Sequence, residues 1–324
     1  MPRLRRSNCE HPGYTRRRWG KGFSYRGLAG EVLRDPVELR RIRGLAIPPA
    51  WEDVWISPYP NGHIQATGQD AAGRRQYIYH PQWRELKDRE KFDRALALAE
   101  ALPGARRIIT KHLRSEGNGP ERAFAAALRI IDSGALRVGG SRYAEMNGSY
   151  GTTTLLTDHV GMDGTRLLLH FPGKSGQEWH VELEDEDLVA AVRPMLMRPE
   201  ADTALAYLGA DDRWHSIDAA QLNGFLREVS AGDFTAKDFR TWQATVSAAM
   251  GLARAGSRAA TKRERQQAVA ATIREVAERL GNTPAVARKS YVDPRVVDRF
   301  LAGEVIPAAG YSASETAVRQ MLGG

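Results

Sequence analysis

Four separated segments carry residue types that could share one chemical site: Leu136-Arg137-Val138-Gly139-Gly140, Pro172-Gly173-Lys174, Lys237-Asp238-Phe239-Arg240-Thr241-Trp242, and Gly281-Asn282-Thr283-Pro284 leading to Ser290-Tyr291. Guanidiniums grip oxyanions through paired N–H donors, and an ammonium can deliver a proton. A tyrosine supplies an oxygen that becomes a nucleophile when positive charge stands beside it. Such a set suits chemistry at phosphorus without a metal. Each residue taken singly has a plainer reading: surface charge for the basic ones, helix-face packing for Tyr291.

Motifs for other chemistries fail. Gly173-Lys174-Ser175 ends like a P-loop, but the pattern needs glycine where Leu168 stands, and a strand-turn-strand setting cannot open the required helix. Gly117-Asn118-Gly119 and Gly20-Lys21-Gly22 both lack the third glycine of a dinucleotide fingerprint. The eight histidines show no ligand spacing, and the single cysteine, Cys9, excludes an intramolecular disulfide and a thiolate-cluster metal site. The expectation is no nucleotide, no cofactor and no metal.

The elements that must position these residues follow from periodicity and punctuation. Pro48-Pro49 and Pro58-Tyr59-Pro60-Asn61-Gly62 separate short segments (Val54–Ile56, His63–Ala66, Gln76–Tyr79) that read as strands. After Pro81, Phe92, Ala95, Leu96, Ala99 and Leu102 recur at helical spacing and stop at Pro103-Gly104. A second helix starts at Pro120 and runs to Gly134. Thr152–Val160, Thr165–Phe171 and Trp179–Leu183 read as a three-stranded antiparallel meander, with Lys174 at a hairpin tip and the acidic run Glu182–Asp187 starting a helix. Helices are expected over Ile217–Val229, over Ala236–Ala253 after a Thr235 cap, and over Lys262–Leu280 closed by Gly281. Thr283 and Pro284 start a short helix ending near Tyr291, and Asp293-Pro294 begins another. The fold class is α+β: a small β-rich domain over residues 1–85, then a larger, mostly helical domain over 86–324 that contains the three-stranded sheet.

Composition sets the partners. The 324 residues carry 47 Lys plus Arg against 39 Asp plus Glu, a net +8, with 42% hydrophobic and 27% charged residues. Those fractions exclude a largely disordered chain. Residues 1–50 hold twelve basic and four acidic side chains, so that segment alone carries +8. With Tyr14, Trp19, Phe23 and Tyr25 among them, it suits a polyanion. No run approaches the ~20 apolar residues of a membrane helix, and no apolar stretch follows the N-terminal arginines. A soluble, cytoplasmic protein with no membrane partner is expected.

In order and spacing, the four segments resemble the catalytic segments of the type IB DNA topoisomerases, in their short bacterial and poxviral form. The resemblance spans nearly the whole chain, because Ile56-Ser57, Asn61-Gly62-His63-Ile64-Gln65-Ala66-Thr67-Gly68 and Gly73-Arg74-Arg75-Gln76-Tyr77-Ile78-Tyr79 look like the family's N-terminal DNA-clamping domain. It implies a monomeric, ATP- and metal-independent enzyme that relaxes supercoiled duplex DNA through a 3′-phosphotyrosyl link. Carried over, Tyr291 would be the nucleophile, Arg137 and Arg240 the phosphate-binding arginines, Lys174 the general acid and Lys237 a supporting residue. Many relatives have histidine where Asn282 stands; an amide N–H can make the same neutral hydrogen bond to the phosphate. Arg74, Arg75, Gln76, Tyr77 and Tyr79 would meet DNA from the first domain, with Gln76 addressing a base edge. Alternation puts Tyr77 and Tyr79 on one strand face and Gln76 and Ile78 on the other. Arg142 and Tyr143 would lie against DNA from the second domain, the whole forming a C-shaped clamp hinged at residues 81–91.

Two rivals share parts of this pattern. A tyrosine recombinase or integrase has the same Arg–Lys–Arg–Tyr chemistry, but usually carries histidine where Lys237 stands, and a helical N-terminal domain. A catalytically silent duplex-binding protein would have kept the fold alone, yet every charged catalytic type is present here.

Overall fold

The first strands come from the basic N-terminal segment, where Tyr14–Trp19 (β1) and Gly22–Arg26 (β2) pair antiparallel. The computed structural model describes residues 3–198, 202–256, 259–307 and 309–323, and divides into two units, Met1–Glu90 and Lys91–Gly324. In the first, a helix α1 (Pro36–Gly44) starts at Asp35, whose carboxylate accepts the Val37 amide hydrogen at 2.8 Å. Three more strands, β3 (Glu52–Ile56), β4 (Ile64–Gln69) and β5 (Arg75–Tyr79), complete an antiparallel sheet in the order β2-β1-β3-β4-β5. Register places Tyr14, Ile56, Ala66 and Ile78 side by side, and this row packs with Ile42 of α1 into a small core. The neighbouring row, Trp55, Thr67 and Tyr77, belongs to the other face.

The division falls inside a helix, α2 (Pro81–Leu113), so residues 81–91 are helical. Nor does the helix stop at Pro103. Its apolar stripe continues at the same spacing through Ala105, Ile109 and Leu113, all buried, and that packing outweighs the one hydrogen bond proline cannot donate. Helix α3 (Pro120–Gly134) is alanine-rich on its buried faces and ends at Ala135 in the left-handed region, φ +54°. A short helix α4 (Ser141–Asn147) follows.

Thr152–Thr154 and Thr157–His159 are 3-10 turns where a strand was expected. The threonine hydroxyls explain the difference: Thr152 and Thr153 bond the carbonyls of Arg137 and Val138, at 3.2 and 3.0 Å, in place of a strand ladder. The meander itself is present, with β6 (Val160–Asp163), β7 (Arg166–Pro172) and β8 (Glu178–Glu184) in that order. Leu167, Leu169 and Phe171 alternate into the core. Glu182 and Glu184 belong to β8, and the helix α5 (Glu186–Leu196) begins only after its cap, Asp185.

A two-stranded sheet, β9 (Ala206–Leu208) with β10 (Trp214–Ser216), precedes α6 (Ala219–Ser230). Then come α7 (Ala236–Gly256), α8 (Lys262–Leu280), α9 (Pro284–Ser290), α10 (Pro294–Ala302) and α11 (Tyr311–Gly323). Helix α7 is the hub, buried on nearly every side and packed against α3, α6, α8, α10 and α11. At its start Thr235 is not the acceptor of a cap; its amide and hydroxyl both donate to Asp238 Oδ2, at 2.9 Å each. Trp242 donates to Glu315 Oε1 at 2.8 Å, and Glu315 and Asp132 both pair with Arg106, so one charge network ties α7, α11, α3 and α2.

Candidate active site

Tyr291 is the C-cap of α9 and is 8% exposed. Its backbone is held from α7: Thr245 Oγ1 lies 3.3 Å from the Tyr291 carbonyl oxygen and accepts the Asp293 amide hydrogen at 3.1 Å. Thr245 was not singled out from the sequence, because a threonine inside a helix pattern carries no local signal of a long-range backbone bond.

Arg240 lies on α7 and is 2% exposed. Its guanidinium donates to the carbonyls that end two other helices, Ala135 after α3 and Leu280 of α8. Its Nε finds no partner among the described residues. The guanidinium carbon sits 5.4 Å from the centre of the Tyr291 ring. Burial, and then the neighbouring Arg137, push this guanidinium down to about 10, so it remains a cation at neutral pH.

Arg137 follows the left-handed end of α3. One nitrogen, Nη2, donates to Asn282 Oδ1 at 2.8 Å, and Nη1 lies 3.5 Å from Tyr291 Oη. The strand of chain that carries it is strapped from below, since the Arg137 and Val138 carbonyls accept the Thr152 and Thr153 amide hydrogens at 2.9 and 2.7 Å. Gly139 and Gly151 meet there back to back: a Cβ on Gly151 would stand 2.5 Å from the Gly139 nitrogen, which no side chain tolerates. Burial alone would raise the Tyr291 hydroxyl, but Arg240 and Arg137 together outweigh it and hold the phenol below its usual range.

Asn282 follows Gly281, which closes α8 at φ +59°. Its Nδ2 donates to the Leu280 carbonyl at 3.3 Å. That bond uses one of the two amide hydrogens and leaves the other for an acceptor, while the amide oxygen faces Arg137. Gly281 also seats the β7–β8 hairpin, since a Cβ there would come within 2.6 Å of Gln177 Oε1 and 2.8 Å of Trp179 Cζ2. Lys174 stands at the tip of that hairpin on a 3-10 turn, exposed, and no partner holds its ammonium among the described residues. It lines a cavity of about 310 Å³ together with Arg137, Gly139, Gly140, Ser149 and Tyr150. Lys237 is also exposed, although on the same helix as the buried Arg240, and no hydrogen bond joins its side chain to Tyr291 or either arginine.

The other expected DNA contacts separate into two groups. On edge strand β5, Arg75, Tyr77 and Tyr79 share an exposed face, and the two rings stack at 5.9 Å. Gln76 lies on the other face, where its Nε2 donates one hydrogen to Asp70 Oδ2 at 2.9 Å. The same carboxylate takes the Arg74 Nε hydrogen at 2.9 Å, and the hydrogen bonds from Arg74 hold Asp70 down to about 2. In the larger unit Arg142 is exposed on α4, and the side chain of Tyr143 lies outside the described residues.

Two guanidiniums about a buried tyrosine, with an exposed ammonium lining a cavity beside one of them, form an arrangement able to hold a phosphodiester and attack it. The class is set by comparison. Residues 80–300 match the family described as eukaryotic DNA topoisomerase I, catalytic core, and residues 22–70 match the bacterial DNA topoisomerase IB N-terminal domain. DNA topoisomerase 1B of Acanthamoeba polyphaga mimivirus is 30% identical over 287 residues, covering 86% of this chain and 85% of that protein. DNA topoisomerase 1B of vaccinia virus is 19% identical over 86% of this chain and 87% of its own length. Among solved structures, the XerH site-specific recombinase bound to difH covers 71% of this chain and 58% of that one, at 14% identity and a TM-score of 0.35. The chain belongs to the type IB DNA topoisomerases, enzymes that act on DNA.

Proposed function

We propose that this chain, as a monomer, relaxes supercoiled duplex DNA without nucleotide or metal, by breaking and resealing one strand through Tyr291. The phenol oxygen attacks the scissile phosphorus, a P–O bond to Tyr291 forms, and the bond to the 5′ oxygen breaks. The phenol proton passes to solvent, and is lost more readily than from free tyrosine because Arg240 and Arg137 favour the anion. In the five-coordinate transition state the extra charge falls on the non-bridging oxygens, and the remaining N–H donors of Arg137 bind them. Arg240 acts from beneath the ring: two of its nitrogens are committed to Ala135 and Leu280, so it supplies charge and fixes the pocket.

Lys174 delivers the proton to the departing 5′ oxygen from its hairpin tip. Asn282 orients Arg137 through its amide oxygen. Once the 5′ end is free the duplex rotates, and the same steps in reverse reseal it; the phosphotyrosyl ester keeps the bond energy, so no nucleotide is consumed. Arg75, Tyr77 and Tyr79 on β5, with Arg142 on α4, hold the duplex.

We infer from that substrate that the enzyme works in the cytoplasm, at the nucleoid. Among the described residues no helix is long and apolar enough to cross a membrane, and no cluster of three or more His, Cys, Asp or Glu could hold a metal ion. The observation that carries the reading is the Tyr291 hydroxyl 3.5 Å from Arg137 Nη1 with Arg240 below its ring. The test is incubation with negatively supercoiled plasmid in EDTA without ATP. Relaxed topoisomers are expected; unchanged plasmid beside a clear binding shift would point to a recombinase awaiting its site, or to a silent clamp.

A further inference from the structure

The hairpin β1–β2 outruns its sheet. β1 pairs with β3 only at Tyr14 and Thr15, but with β2 from Thr15↔Arg26 to Trp19↔Gly22. Beyond Thr15 the element is therefore a two-stranded ribbon. Arg16 anchors its base: the guanidinium donates to the carbonyls of Ile47, Pro48 and Trp51, at 3.1, 3.0 and 2.7 Å, and stacks on Phe23 at 4.1 Å. What lies past the anchor has no such duty. Arg17, Arg18 and Lys21 are exposed and none forms an ion pair among the described residues. No acidic residue occurs between Glu10 and Glu31.

At the apex Trp19 is 75% exposed. It sits at the last paired position, before a two-residue connection in which Gly20 takes φ +54°. The turn geometry asks for Gly20, and nothing in the pairing asks for an indole at 19. An aromatic ring that forfeits burial in its own fold, on a ribbon with free cations on either side, is built to meet a surface that is anionic outside and flat and aromatic within. DNA is such a surface: a groove accepts a two-stranded ribbon, phosphates line its edges, and every base has a face for stacking. Both family matches begin after Trp19, at residues 22 and 80, so neither covers this apex.

We propose that the β1–β2 ribbon is a separate DNA-contacting element, in which Arg17, Arg18 and Lys21 bind phosphates and Trp19 stacks against a base at a site where the duplex is locally unstacked. This rests on the DNA-acting family reading, but not on the roles given to Tyr291 or Lys174.

The full chain carrying Tyr291→Phe, which binds without cleaving, is titrated with a duplex holding one central mismatched pair and with its fully paired counterpart, across a series of salt concentrations. Trp19→Ala should weaken binding of the mismatched duplex by about tenfold or more, while Trp19→Phe restores most of it. Replacing Arg17, Arg18 and Lys21 by Ala together should make the dependence of log K on log salt shallower by roughly 3. Far-UV circular dichroism and the melting temperature should not move, since these side chains are exposed. Unchanged affinity and salt slope in both variants would overturn the proposal. So would Trp19-dependent binding to phosphatidylserine vesicles with duplex binding unaffected, which would make the ribbon a membrane contact. If the parent protein binds no duplex at all, the ribbon and the DNA-acting reading fail together.

Discussion

Asn282 Oδ1 accepts a hydrogen bond from Arg137 Nη2 at 2.8 Å, and this contact turns the other end of the same guanidinium toward the Tyr291 hydroxyl, 3.5 Å away. An amide at position 282 thus acts on the arginine before any phosphate arrives. Asn282→Ala should leave duplex affinity nearly unchanged and slow cleavage by about ten- to a hundredfold, because one misplaced donor at the transition state costs on the order of 2 kcal/mol. Single-turnover cleavage measured beside a binding titration checks this; a loss confined to affinity would place Asn282 in duplex binding.

The pH dependence follows from the arginines. Burial raises the Tyr291 pKa, but Arg240 and Arg137 bring it below the ordinary 10.0. Cleavage should therefore rise with pH along a limb centred below 10, since the reactive phenolate is favoured there. Arg137→Ala removes one lowering charge and leaves the burial, so the limb should move to higher pH. Asn282→Asp places a negative charge against Arg137 and should shift it the same way. A limb that stays in place in both variants would remove Arg137 from activation of Tyr291.

Gly281 carries two demands at once, a left-handed φ of +59° and close packing under Gln177 and Trp179. Gly281→Ala should cost at least ~1–2 kcal/mol from the backbone alone. In a unit of this size that is a fall in melting temperature of about 2–8 °C. Because the displaced neighbours belong to the hairpin that carries Lys174, cleavage should slow more than stability suggests. A calorimetric scan and a cleavage time course, taken on the same preparation, compare the two.

The parts legible in the sequence were those with local signatures. Thr283 before Pro284 marks a helix start, Gly281 a helix end, and the order of Arg137, Lys174, Arg240 and Tyr291 can be read directly. Illegible were the features decided by distant packing. Pro103 would stop an isolated helix, yet the stripe from Leu102 to Leu113 carries α2 through it. The threonines at 152–154 favour a strand by propensity, but the hydroxyls of Thr152 and Thr153 bond the Arg137 and Val138 carbonyls and that of Thr154 bonds Gly151. The bond from Gln76 to Asp70, six residues earlier across a turn, has no signature in the strand pattern either. The clamp on Tyr291 by Thr245, forty-six residues away, leaves no trace in either segment.

Among the described residues Lys174 has no partner to lose, so its role is testable without a stability penalty. Lys174→Ala should slow cleavage of ordinary DNA by about 10²–10⁴-fold, the range of a lost general acid. On a substrate whose leaving group is a bridging 5′ sulfur, which departs without a proton, the rate should be nearly restored. Equal slowing on both substrates would take Lys174 out of proton delivery.

The most direct test traps the covalent intermediate. A nicked duplex that loses its short 5′-hydroxyl strand after cleavage should leave the enzyme joined to a 3′ phosphate, and proteolysis with mass spectrometry should find that phosphate on the peptide containing Tyr291. Tyr291→Phe should give no adduct while binding the same duplex. An adduct on another residue, or an undiminished yield from Tyr291→Phe, would contradict the assignment of Tyr291 as the nucleophile.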